Sequence, residues 1–143
     1  MKLDIQGFKE LLTHKMESTF ESTGEVGPIV FFLRRDENVM IGKIPPGAMS
    51  SIEGKNHLAD NIREICRDPI TMATALMAEV NIRDNEGNKT ADGIMLVVST
   101  LEGDDITLYE VDCDKNKMLG IHCEKEGTDL RGRFTGFFQW DKN

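Results

Sequence analysis

Three β-rich runs, Ile94 to Leu101, Asp105 to Cys113 and Met118 to Glu124, follow one another with only Glu102-Gly103-Asp104 and Asp114-Lys115-Asn116-Lys117 between the latter segments. Runs of strand length joined by so few residues leave no room for a crossover connection, so they pair as consecutive antiparallel neighbours, a meander. This pattern commits the second half of the chain to a sheet and leaves the first half to cover it.

Upstream, Ile5, Phe8, Leu12 and Met16 recur three or four residues apart, which predicts an amphipathic helix from Asp4 to about Ser18 with Asp4 as its N-cap. Gly24 and Gly27-Pro28 break the chain before Ile29-Val30-Phe31-Phe32-Leu33, a buried strand. Asp36-Glu37-Asn38 supplies turn chemistry, Val39 to Ile44 returns as the second arm of a hairpin, and Pro45-Pro46-Gly47 ends it. Ser51 caps a second helix in which Leu58, Ala59, Ile62, Ile65 and Cys66 share a face. Ile70 to Ile82 reads two ways: Asp68-Pro69 could open a further helix and Met and Ala favour one, whereas Val80 and Ile82 favour a strand. The terminal aromatics of Arg133-Phe134-Thr135-Gly136-Phe137-Phe138-Gln139-Trp140 are expected to pack onto the sheet. The expected architecture is α+β: a mainly antiparallel sheet of five to six strands with two helices packed on one face, residues 1–143 forming a single domain.

Charge excludes some partners. The formal charge is −8 from 25 acids and 17 bases, and residues 72–143 carry −6 of it against −2 in residues 1–71. That sign repels phosphate backbones and anionic lipid, so neither nucleic acid nor a membrane is expected as a partner. No apolar run has spanning length and the first residues, Met-Lys-Leu-Asp-Ile-Gln-Gly, lack a signal-peptide pattern, so the cytosol is the expected compartment. Cys66, Cys113 and Cys123 are odd in number and lack CxxC spacing, which indicates free thiols rather than disulfides or a zinc knuckle.

The order of elements carries a resemblance. A helix, Gly27-Pro28 opening an apolar hairpin, a second helix, Ala75-Leu76-Met77-Ala78-Glu79-Val80 ahead of a charged loop, and a meander closed by Gly132-Arg133-Phe134 together resemble a loose group of small α+β proteins from bacterial and phage genomes. In that group an apolar strand ends in a Ser-Glu-Ala-Trp-like sequence; here Ala78 stands where Ser is usual and the tryptophan is missing. The resemblance implies a strand over Ile70 to Ile82 and brings no activity with it.

Several residues invite a chemical reading. Glu79 interrupts an apolar run, and a carboxylate inside a sheet costs several kcal/mol unless paired or protonated, so it is the candidate acid, with Arg34, Arg35 and Arg83 as its candidate partners. Asp112, Asp114 and Asn116 repeat the first half of an EF-hand loop, but Lys117 replaces its glycine and Cys123 its final glutamate, so a plain hairpin turn is expected and no metal. Cys66 and His57 are nine positions apart and point to opposite sides of a helix; His122 is expected opposite Tyr109. Arg131 to Phe138 faintly matches an RNA-recognition motif, but Arg133 and Phe134 occupy the wrong positions. No cofactor motif is present. The expected function is that of a non-enzymatic binding or accessory protein acting through a sheet surface as a homodimer, because an open sheet leaves edges to cover. The alternative is a small-molecule binder or hydrolase with a pocket between the second helix and the sheet around Glu79.

Overall fold

The structure, a computed structural model, describes residues 4–36, 38–45, 47–127 and 137–138. The first helix, α1, runs Ile5–Thr23. It buries Phe8, Leu12, Met16 and Phe20, a four-residue repeat that stays on one stripe of a helix over three turns. The Asp4 carboxylate accepts from the Gly7 N–H at 2.7 Å, the expected cap. Gly24 ends the helix at φ 76°, donating its N–H to the Phe20 carbonyl, and the Asn116 side chain sits 2.7 Å from where a Cβ at residue 24 would stand.

Strands β1 (Ile29–Arg34) and β2 (Val39–Lys43) form the expected hairpin, followed by helix α2 (Ile52–Cys66), in which the Ser51 hydroxyl accepts from the Gly54 N–H at 3.0 Å. The doubtful segment is strand β3 (Thr71–Arg83), which pairs with β1 on one side and β4 (Lys89–Thr100) on the other. Two flanking ladders outweigh the modest helix preference of Met and Ala. Strands β5 (Gly103–Asp112) and β6 (Lys117–Gly127) complete the meander. The sheet is six-stranded in the order β2-β1-β3-β4-β5-β6, antiparallel throughout, so the chain is α+β as expected.

The expectation that both helices share one face does not hold. Phe31 and Leu33 pack with Phe8, Leu12, Met16 and Phe20 of α1, whereas Val30 and Phe32 pack with Leu58, Ala59 and Ile62 of α2. Successive residues of a strand point to opposite faces, so α1 and α2 sandwich the sheet. The topology requires it: β2 and β3 flank β1 and run parallel to each other, and α2 is the crossover that carries the chain over β1. The face left bare is taken by α1. Phe137 and Phe138, 2% exposed each, join the α2 side, with Arg63 5.5 Å from the Phe137 ring centre.

Candidate functional site

Glu79 lies on the α1 face, in line with Ala75 and Met77 and opposite Ile94, and so on the other side of the sheet from α2. It is exposed, near the far end of β3. Partial burial raises its carboxyl above the ordinary range, a backbone hydrogen bond from Val26 works against that, and the Glu25 and Asp92 carboxylates add repulsion. The three arginines are engaged elsewhere. Arg34 contacts Asp36 at 3.6 Å, the Arg35 guanidinium donates to the Pro69 carbonyl at 2.7 Å, and Arg83 donates to the Gly87 carbonyl at 2.9 Å. Arg34 pairs with Thr71 at the opposite end of β3, eight residues and about 26 Å of strand from Glu79.

The Asp112 to Asn116 segment is a turn. One Asp112 carboxylate oxygen accepts from the N–H groups of Asp114 and Lys115 at 3.0 and 3.2 Å, so that oxygen faces the turn's own backbone, while Asn116 adopts φ 49° and turns its side-chain amide toward Gly24. Among the described residues no cluster of His, Cys, Asp and Glu is arranged to hold a metal ion. Cys66 is 2% exposed and burial pushes its thiol up to about 12, while His57 is exposed on the other side of α2. The expected facing of His122 and Tyr109 is off by one: Tyr109 pairs with Ile121 and Leu108 with Cys123, which leaves His122 as the extra residue of a bulge. The side chains of His122 and Cys123, and residues 131–136 of the RNA-motif-like stretch, lie outside the described residues.

The sheet has two edges, and they differ. On β6 the register slips twice, at Leu108/Tyr109 and at Glu110/Val111, and Gly120 sits at φ 120°. Bulges of this kind twist an edge away from any further strand. On β2 the register runs unbroken from Val39 to Lys43. Both edges expose apolar side chains: Met40 is 45% exposed and Ile41 55% on β2, and Leu119 is 54% exposed and Ile121 59% on β6. The hydrogen bond from the Arg34 N–H to the Asn38 carbonyl at 2.9 Å makes that pair a hydrogen-bonded one. Alternation along the ladder then turns the N–H and C=O groups of Met40 and Gly42 toward β1, and those of Val39, Ile41 and Lys43 outward. Among the described residues no strand pairs with them.

A groove of about 420 Å³ also opens on the α1 face, walled by Lys9, Glu10, Thr13, His14 and Glu17 and floored by Leu96, Val98, Thr107 and Tyr109. Asp105, ion-paired with Lys9, links its floor to the helix. Sequence reasoning missed this groove, because its two walls are some ninety residues apart in the chain. Compared with known proteins, the chain matches no family model, no curated protein and no solved structure.

Proposed function

We propose that this protein is a non-enzymatic binding module that assembles through the free edge of β2, pairing with a second copy to make a continuous antiparallel sheet. The observation that carries the reading is the contrast in register between the two edges: β6 is bulged twice, while β2 keeps unbroken register. A twofold axis at Ile41 sets Ile41 against its own copy and Val39 against the partner's Lys43, forming about six backbone hydrogen bonds from groups that otherwise face water. No like charges oppose each other in that register. On one face the paired Ile41 side chains extend the apolar surface of Phe31, their ladder neighbour; on the other, each Met40 lies over a glycine. The reading places the protein in the cytosol, supported by the free thiols of Cys66 and Cys113.

Ile41→Pro tests it cleanly. The Ile41 N–H points away from β1, so proline there removes no bond of the hairpin but deletes a donor at the centre of the joint. Light scattering at micromolar concentration should give a dimer mass for the wild type and a monomer mass for Ile41→Pro. A wild-type monomer across that range contradicts the reading.

A further inference from the structure

The groove beside α1 has a chemistry that its own residues leave incomplete. Thr13, His14 and Glu17 lie three, four and seven residues beyond Glu10, so the four run along one border of the helix. Beneath them the floor is apolar, with Leu96 and Val98 each 3% exposed. Tyr109 is different. It is 8% exposed and lines the groove, yet among the described residues its hydroxyl makes no hydrogen bond. The side chain is largely buried but its hydroxyl reaches solvent, and the open space that Tyr109 lines is the groove.

Charge selects the partner. Among the described lining residues Lys9 is the sole cation and is held by Asp105. The Glu10 carboxylate takes only a hydrogen bond from Gln6 at 3.3 Å, and Glu17 has no ionic partner among the described residues. Three carboxylates against one ammonium give these acids and bases of the lining a formal charge of −2. An anion is repelled by such a wall, and a neutral molecule leaves its charge unanswered. We infer that this groove binds a small organic monocation with an apolar body, an arylalkyl- or alkylammonium, whose body lies on Leu96, Val98 and the Tyr109 ring and whose ammonium is shared by the phenol oxygen and the Glu10 and Glu17 carboxylates. The volume falls in the lower part of the range, about 300–1,000 Å³, in which small-molecule sites are found. The open side of the groove fits modest rather than tight affinity. The site is remote from β2 in the sheet order and rests on different residues, so it stands or falls apart from the assembly.

Amide NMR of the full chain, titrated with phenethylammonium, tests it. Shifts should concentrate on residues 9–17 of α1 and on the β4–β5 pair, with a dissociation constant of about 1 mM or below. Tyr109→Phe, which keeps the ring, and Glu17→Gln should each weaken binding about tenfold, as loss of a contact to a charged group does. The uncharged 2-phenylethanol and the anionic 3-phenylpropionate should bind at least tenfold more weakly. Ile41→Pro should bind the amine as the wild type does. No shift at millimolar phenethylammonium, equal binding of 2-phenylethanol, or unchanged affinity in both Tyr109→Phe and Glu17→Gln overturns the inference.

Discussion

Cys66 shows how far one residue's chemistry is set by where the fold puts it. On the sequence it was a thiol near a histidine; in the structure it is sealed beneath α2 with its ionisation pushed up to about 12 from 9.0. A folded-state value raised above the unfolded one means that the stability tied to the protonated thiol is whole below pH 9.0 and is lost as pH climbs toward about 12. Urea unfolding near pH 8 and near pH 10.5 should therefore show a fall in stability that is smaller in Cys66→Ala, and a thiol reagent at pH 8 should label exposed Cys113 and spare Cys66. Equal labelling of both would contradict the burial. Glu79 teaches the reverse lesson. Its interruption of an apolar run was legible, but β3 is 13 residues long and Glu79 lies near the end of its buried stretch, so the carboxylate reaches water instead of being trapped. Periodicity records which residues share a face and is silent on where the covering helix stops.

Among the elements, α1, α2, the first hairpin and the meander were readable because each carries a clean period and its own cap or turn residues. The ambiguous segment became β3 through partners on both sides, which no local pattern contains. The sandwiching of the sheet did leave a trace. Val30 to Leu33 and Ala73 to Ala78 are buried at every position, and strands without alternation are strands covered on both faces. The bulges of β6 left none, which is why His122 was placed one position out. The joint between the end of α1 and the β5–β6 turn is similarly a tertiary matter: Gly24 is required both for its φ of 76° and because Asn116 fills the space beside it. Gly24→Ala should cost about 1–2 kcal/mol in thermal or urea unfolding, the penalty of a left-handed residue plus displacement of Asn116. A variant as stable as the wild type would mean that the helix end tolerates a different closure.

At the scale of the molecule, the arrangement is a layered sheet whose two faces carry helices and whose edges are treated unequally. With both faces covered, the two edges are the remaining unpaired surface of the sheet among the described residues, and of these only β2 keeps an unbroken register. The expectation of a sheet-mediated binding protein was reached from the openness of the sheet alone; the proposal that β2 is the edge in question rests on register, which the sequence does not spell out. Residue-resolved amide hydrogen exchange, followed over a range of protein concentrations, asks the question directly. The amides of Met40 and Gly42, bonded to β1, should be protected at every concentration, while those of Val39, Ile41 and Lys43 should gain protection as concentration rises, a gain that Val39 and Lys43 should lose in Ile41→Pro. Rapid exchange of Val39, Ile41 and Lys43 at all concentrations would show that the edge of β2 stays bare.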